Sequence, residues 1–423
     1  MIILKNNKYI FLLVLLVLSS CSVSKKVEKE LGSSSSDELF FKGISVLDAE
    51  TGEPLIEFNS NKYFTPASNV KLFTLYAAMQ TLGDSIDSFE YVKIGDSLIV
   101  KGTANPLFLN DSLDDAALEF LRSREEAIYL KDDQIADRAY GQGWSWDDYP
   151  YYYMPEKNLF PLYGNVITID KDRDSIRVVP SFFDDKVFIK KSLDVNRKKG
   201  ENEFYVAESK EFSNKKIPFK TSNQLVADLL GQELSKKVIL FQNDKNYDFK
   251  GFKDIPYDTL YRKMMVHSDN FMAEQLMLRV GKVTTGEYSV SKAINYTLDH
   301  YLKDIPQRPR WVDGSGLSRY NLFSPTSITF LLRKMYLEIP HDELFSYLPQ
   351  GGTSGTLKNS YLGQVYIFAK SGTLSNNYSL SGYLTSKKGK VLVFSYMNNH
   401  YSGSSSERKE EMSKFFSKLY ESF

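Results

Sequence analysis

A serine and a lysine three positions apart raise the question of what this chain can do. Ser68 and Lys71 sit in Pro66-Ala67-Ser68-Asn69-Val70-Lys71-Leu72-Phe73, which runs on as Thr74-Leu75-Tyr76-Ala77-Ala78-Met79-Gln80 and stops at Gly83. Apolar residues fall on almost every face from Val70 to Met79, the pattern of a helix enclosed by other elements. A lysine in such a helix must reach water or serve chemistry, because an unpaired ammonium in apolar surroundings costs on the order of several kcal/mol or gives up its proton. Ser68 lies one turn earlier on the same face. A hydroxyl beside an amine able to act as a base, at a helix start where backbone amides lack partners, is the outline of an activated nucleophile. Alone, the same pair also reads as a capping serine and a solvated lysine.

Two other clusters carry hydrogen-bonding side chains in succession. Ser268-Asp269-Asn270 breaks two apolar-rich helical segments, 259–266 and 271–280, and by itself reads as a helix cap. Lys370-Ser371-Gly372-Thr373 follows a short apolar run, 365–369, that reads as a strand. The elements that must position these groups can be traced around them. Residues 43–48 and 54–58 form a hairpin about Ala49-Glu50-Thr51-Gly52, and the Ser68 helix follows at once. From 85 to 257 the texture changes to short apolar runs between acidic and lysine-rich turns, with Gly164-Asn165-Val166-Ile167-Thr168-Ile169 as a representative strand. That region reads as an insertion. It contains Gly143-Trp144-Ser145-Trp146-Asp147-Asp148-Tyr149 and then Tyr151-Tyr152-Tyr153, aromatics that suit a packed loop and a binding cleft equally. Helices return over 259–266, 271–280 and 289–302. After the glycine-rich loop Asp313-Gly314-Ser315-Gly316-Leu317-Ser318-Arg319, Ser324 caps a further helix that Pro325 begins. Strands over 380–385 and 390–397 and a closing helix over 404–423 complete the chain.

The composition narrows the function classes. With 53 basic and 53 acidic residues among 423, the overall charge gives no reason to expect nucleic acid as a partner. His267, His300, His341 and His400 are scattered without H-E-x-x-H spacing, so neither a metal site nor a Ser/His/Asp triad is expected. The sole cysteine, Cys21, follows Lys5, Lys8, an apolar run over 9–18 and Ser19-Ser20. This reads as an export signal, too short to span a bilayer. Its L-S-S-C ending resembles a bacterial lipobox, which implies removal of residues 1–20 and lipid on Cys21. Residues 21–38, with Ser33-Ser34-Ser35-Ser36, are then a flexible tether. A chance cysteine behind an ordinary secretory signal is the other reading.

Together, Ser68-x-x-Lys71, Ser268-Asp269-Asn270 and Lys370-Ser371-Gly372 stand in the order and contexts that acyl-serine chemistry uses, and the set resembles that of penicillin-binding proteins and class A β-lactamases. Gly102-Thr103-Ala104-Asn105-Pro106, the W-x-W-D-D loop, D-G-S-G-L-S-R and Gly352-Thr353-Ser354-Gly355-Thr356-Leu357 extend the likeness to the low-molecular-mass class C penicillin-binding proteins, which are D-alanyl-D-alanine carboxypeptidases and endopeptidases. The resemblance runs over roughly 43–399. It implies an α/β (α+β) fold with a transpeptidase-like, β-lactamase-like domain, an antiparallel sheet between helices, built from 39–84 and 258–423, and inserted domains over 85–257.

Carried onto these positions, the resemblance makes Ser68 the nucleophile on the bond between two D-alanines and Lys71 its base, with Lys370 and burial expected to depress the base's affinity for its proton. Ser268 and Lys370 relay the proton to the departing amine, and Asn270 bonds the substrate amide. The backbone amides of Ser68 and Thr373 form the oxyanion hole, and the Ser371 and Thr373 hydroxyls, beside Gly372, hold the terminal carboxylate. Asp147 and Arg319, walled by Trp144, Tyr152 and Leu374, are expected to bind the amino acid end of a diaminopimelate side chain. The expected partners are a peptidoglycan stem peptide and β-lactam antibiotics, with no cofactor, membrane contact only through the lipid anchor, and a place in the cell envelope facing the periplasm. Two positions depart from the family pattern: Ser371 replaces the threonine usual in K-T-G, and Asn105 stands where aspartate is common. A β-lactamase, which needs a dedicated deacylating glutamate, and a silent peptidoglycan-binding lipoprotein are the competing readings.

Overall fold

Side-chain alternation along five strands builds the sheet that carries the Lys370 motif. The computed structural model describes residues 40–423 apart from 111–115, 174, 194, 244 and 246, so the export signal, Cys21 and the tether lie outside the described residues. The early strands are β1 (Phe41–Asp48), β2 (Pro54–Phe58), β3 (Ser85–Ile94), β4 (Ser97–Lys101) and β5 (Ala127–Lys131), with helices α1 (Val70–Thr81) and α2 (Ala116–Arg122) between them. Then come β6 (Val166–Asp172), β7 (Ser175–Val179), β8 (Val187–Lys190), β9 (Phe204–Ala207), β10 (Phe212–Pro218), α3 (Asn223–Leu234), β11 (Val238–Phe241) and β12 (Lys250–Pro256). The last part runs α4 (Tyr257–His267), α5 (Asn270–Thr285), α6 (Val290–His300), α7 (Pro325–Glu338), α8 (His341–Ser346), β13 (Ile367–Leu374), β14 (Asn377–Thr385), β15 (Val391–Asn399) and α9 (Ser405–Ser422). The chain forms two compact units. The first takes the residues up to Leu72 with Asp304–Trp311 and Tyr320–Phe423, and the second takes Phe73–Lys303 with Val312–Arg319.

In the first unit the sheet order is β13-β14-β15-β1-β2, antiparallel throughout. One face buries Ile44, Val46, Leu380, Leu392 and Phe394 against Met412, Phe415, Phe416 and Leu419 of α9. Each such side chain contributes about 1.5–3 kcal/mol when fully removed from water. The other face is small and hydroxylic, which lets α7 lie close. Ser45 Oγ is 3.0 Å from Thr329 Oγ1, Ser381 Oγ is 2.9 Å from Ser395 Oγ, and Tyr383 donates to the Leu332 carbonyl at 2.7 Å. This is the expected antiparallel sheet between helices. The expected hairpin is also present, its turn tied by Asp48 Oδ1, which accepts from the amides of Glu50 and Thr51.

The strand that carries the Lys370 motif runs further than the sequence reading. The strand expected to stop at residue 369 continues through the motif to Leu374, with Lys370 opposite Ser381 and Thr373 opposite Tyr378. Ser371, Gly372 and Thr373 have little apolar signature, so their pairing is set by the neighbouring strand rather than by periodicity. A two-residue loop closes the hairpin, with Asn376 at φ 67°, a conformation asparagine tolerates.

In the second unit a sheet ordered β11-β5-β4-β3-β12 joins parallel pairs β4/β5 and β5/β11 to antiparallel pairs β3/β4 and β3/β12. Phe89, Phe108, Phe160, Phe204, Phe219, Leu121 and Leu230 are buried in its core. Segment 85–257 holds β3 to β12, as its texture suggested, and also α2 and α3, which the reading did not mark. Helix α3 starts in the ordinary way, with Ser222 accepting from the Leu225 amide.

Candidate active site

The enclosed helix read from the sequence is α1: Val70, Lys71, Leu72, Phe73, Thr74, Leu75, Ala77 and Ala78 are all without solvent exposure. It is preceded by a tight 3-10 turn, Ala67–Asn69, in which Ala67 takes φ 49°. A left-handed alanine costs on the order of 1 kcal/mol or more, and here that conformation presents the next residue. Ser68 is half-buried, and its Oγ accepts a hydrogen bond from Lys71 Nζ at 3.1 Å. The sequence left open whether Ser68 caps the helix; its hydroxyl instead pairs with the lysine.

Strand β13 lies against this turn. Asn69 Nδ2 donates to the Lys370 carbonyl at 3.1 Å, and Lys370 Nζ donates to the Ser371 carbonyl at 2.8 Å. Lys370 is fully buried, and that desolvation, followed by the charge of Lys71, holds its ammonium well below the ordinary lysine range. Gly372 permits the approach: a Cβ there would stand 2.4 Å from the Pro66 carbonyl oxygen and 3.1 Å from the Ser68 nitrogen. Ser371 donates from its Oγ to Thr356 Oγ1 at 2.8 Å, so the serine that replaces threonine in this motif is held by a partner. The Ala369 amide donates to the Pro349 carbonyl, away from β14. By the two-residue alternation of a strand, the Ser371 and Thr373 amides face the same open edge. Within the first unit the structure therefore brings together Ser68, Lys71, Lys370 and Gly372. Thr373 is exposed and Leu374 half-buried at the strand's end.

The second motif has its own geometry in the second unit. Ser268 ends α4 in the left-handed region at φ 58°, and Asp269 caps α5 by accepting from the Met272 amide at 2.9 Å. Asn270, the first helical residue, donates from Nδ2 to the Tyr153 carbonyl at 3.0 Å, and Tyr153 OH donates to Asp148 Oδ1 at 2.9 Å. The aromatic loop is thus pinned to the S-x-N turn. Trp144 Nε1 donates to Asp313 Oδ2 at 2.9 Å, and the Arg319 amide donates to the Gly143 carbonyl at 3.1 Å. The D-G-S-G-L-S-R loop therefore sits beside the tryptophan loop. Asp147, Tyr152 and Arg319 are exposed.

Reading the sequence missed the group beneath that loop. Asp313 accepts from the amides of Gly316 and Ser318, and Glu274 accepts from the Ser315 amide at 2.8 Å. Lys157 lies 4.0 Å from Glu274 and 3.5 Å from Asp137. Burial, and then the charge of Asp313, push the Glu274 carboxyl up to about 7, against the opposing pull of Lys157. The signal was available: Glu274 stands in Phe271-Met272-Ala273-Glu274-Gln275-Leu276-Met277, the same anomaly of a charge inside an apolar helix that marked Lys71.

Comparison with known proteins gives the arrangement its context. The model of the D-Ala-D-Ala carboxypeptidase 3 (S13) family matches residues 27–419. The penicillin-sensitive carboxypeptidase A of Dictyostelium discoideum is 23% identical over 383 residues, covering 73% of this chain and 71% of the relative. Among solved structures, penicillin binding protein 4 of Haemophilus influenzae superposes with a TM-score of 0.76 at 21% identity, over 91% of this chain and 97% of that one. A predatory peptidoglycan endopeptidase of Bdellovibrio bacteriovorus gives 0.55 at 12% identity, over 90% and 92%. These two structural likenesses carry the fold.

Proposed function

Since the chain belongs to the D-Ala-D-Ala carboxypeptidase 3 (S13) family, we propose that it is a serine peptidase that cleaves D-alanyl-D-alanine bonds in peptidoglycan stem peptides through an acyl-enzyme on Ser68. The observation that carries the assignment is the 3.1 Å contact of Lys71 Nζ with the Oγ of the half-buried Ser68, in a site where Lys71 and Lys370 are both fully buried. Burial and the charge of Lys71 hold Lys370 below the ordinary lysine range, so the pair does not readily carry two positive charges together.

Lys71 takes the Ser68 proton as Oγ attacks the carbonyl carbon of the penultimate D-alanine. The developing oxyanion is met by the Ser68 and Thr373 amides, donors worth on the order of a hundredfold in rate each. The C–N bond then breaks, and the proton passes to the leaving D-alanine amine, with Ser268 and Lys370 as the relay. Water attacks the ester carbonyl, releases the shortened peptide and restores Ser68. Ser371 and Thr373 offer hydroxyls to the terminal carboxylate, with Gly372 letting the strand approach, and Asn270 offers its carboxamide to the peptide backbone. Asp147 and Arg319, together with Trp144, Tyr152 and Leu374, are assigned to recognition of the charged end of a diamino acid side chain. β-Lactams enter as acylating analogues of the same bond. Cleavage of crosslinks follows the same chemistry when the leaving amine belongs to a neighbouring stem.

The proposal places the enzyme in the cell envelope, facing the periplasm and anchored by lipid on Cys21, on the strength of the charge, apolar run and L-S-S-C ending that precede it. The test is product analysis with pentapeptide and crosslinked muropeptides. Wild type should release D-alanine or split crosslinks and Ser68→Ala should do neither. Equal turnover by the two proteins would exclude Ser68 chemistry.

A further inference from the structure

Glu274 holds the loop that carries Arg319, yet one of its oxygens accepts no hydrogen bond. It stands on α5, one turn after Asn270, and is only 1% exposed. Its Oε1 accepts from the Ser315 amide at 2.8 Å, whereas Oε2 has no hydrogen-bond partner among the described residues. Oε2 faces Lys157 Nζ at 4.0 Å, and that ammonium is shared with Asp137 at 3.5 Å. Two residues before Ser315, Asp313 accepts from the Gly316 and Ser318 amides and from Trp144 Nε1. Two buried carboxyls therefore grip one loop, and the second of them also holds the tryptophan. The loop is pressed onto the helix, since a Cβ on Gly314 would stand 2.7 Å from the Ala273 carbonyl oxygen. Beside the pair lies a cavity of about 380 Å³, polar and roomy enough to admit water. Its other titratable or charged lining groups are Asp137, Lys157, Tyr140 and the exposed Arg138, while α6 contributes only the uncharged Val290 and Ser291.

We propose that Glu274 is a positioning residue for the side-chain pocket, acting through the loop it shares with Asp313: neutral, it lets the loop hold Trp144 and Arg319 in place, and ionised, it loosens that hold. The inference rests on the assignment of Trp144 and Arg319 to a diamino acid side chain and names what tunes their grip. An ionised Glu274 sets a buried anionic oxygen without a hydrogen bond near a second carboxylate, with a lysine that it must share with Asp137. Movement of the loop, or entry of water through the cavity, relieves that cost. A neutral carboxyl leaves Asp313 as the anion beneath the loop and keeps an acceptor for the Ser315 amide. Burial and the charge of Asp313 put the changeover at about 7. A ligand that needs the tight loop favours the protonated form, so its advantage falls as pH rises through that value.

The test uses the full chain and two pentapeptides, one carrying diaminopimelate and one carrying alanine at the same position. Effects of pH on the serine chemistry cancel in the ratio of their KM values. In wild type the preference for the diamino acid should fall about 5- to 10-fold from about pH 6 to about pH 8, the factor expected if filling the pocket raises the proton affinity of Glu274 by up to about one pH unit. Glu274→Gln, which cannot ionise, should keep the preference level over that range, with the kcat ratio unchanged. Tryptophan emission of the ligand-free protein gives a reading that needs neither turnover nor that variant: wild type should show a transition near pH 7 that Trp144→Phe lacks. A level preference in wild type, a falling one in folded Glu274→Gln, or no emission transition that depends on Trp144 would overturn the inference and leave the peptidase reading intact. No preference for the diamino acid at any pH would overturn the pocket assignment and the inference with it. Failure of folded wild type to acylate Ser68 with penicillin would instead contradict the functional reading.

Discussion

Lys370 and Glu274 are charged side chains that solvent scarcely reaches, and burial drives each toward its neutral form. For Lys370 the shift is downward, so folding releases a proton and its contribution to stability grows as pH rises from its depressed value toward 10.5. Holding this amine in place works against stability, and Lys370→Met should raise the thermal midpoint, by about 1–3 kcal/mol in stability, while cutting penicillin acylation at least about a hundredfold. Calorimetry and acylation rates on one preparation check both halves. Glu274 has the opposite sign: its carboxyl rises from 4.5 to about 7, so its contribution is complete below 4.5 and is lost as pH climbs through about 7. At about 1.4 kcal/mol per unit, the swing is on the order of 3 kcal/mol. Glu274→Gln keeps an acceptor for the Ser315 amide and should flatten the midpoint between pH 5 and pH 8. An unchanged slope in the variant would show that another group titrates there.

At the level of elements, the close approach of β13 to the Ser68 turn is the demanding feature. Gly372→Ala places a methyl group 2.4 Å from a backbone carbonyl, where neither partner is a flexible side-chain end. We expect a loss of about 1–3 kcal/mol in urea unfolding and a larger fractional loss of acylation, because the turn that must shift carries Ser68. Asp269→Ala removes the α5 cap and should cost about 1 kcal/mol, with a milder effect on acylation. Much of this layout was legible. The buried helix followed from apolar residues on almost every face of 70–79, and the Ser268-Asp269-Asn270 break read as a cap, a role the structure gives to Asp269. The extension of β13 through Lys370–Leu374 was not legible, because glycine and hydroxyl residues give no alternation and the register comes from β14. The Asp313–Glu274 group was legible only in part: Glu274 is an anomaly in the apolar run 271–277, but its meeting with the Asp313 loop comes from tertiary packing.

For the molecule as a whole, the family and the fold rested on three short motifs separated by long intervals, each ordinary alone. Their order carried the information, since spacing says nothing about which distant segments meet. The contact of Lys71 with Ser68 could be read from helical geometry, whereas the approach of Lys370 needed the sheet. Anchorage is a property of the whole chain in its cell: Cys21→Ala, expressed in a bacterium, should lose metabolic palmitate label and move from the membrane fraction to the soluble one. Persistence of both label and membrane association would exclude lipid on Cys21. The central claim, that Ser68 is a nucleophile driven by the buried lysine beside it, is tested most directly by intact-mass analysis after incubation with penicillin G. Wild type should gain one covalent drug adduct that maps to Ser68, Ser68→Ala should gain none, and Lys71→Ala should acylate at least about a hundredfold more slowly. An adduct of equal yield in Ser68→Ala, or none in folded wild type, would contradict the account.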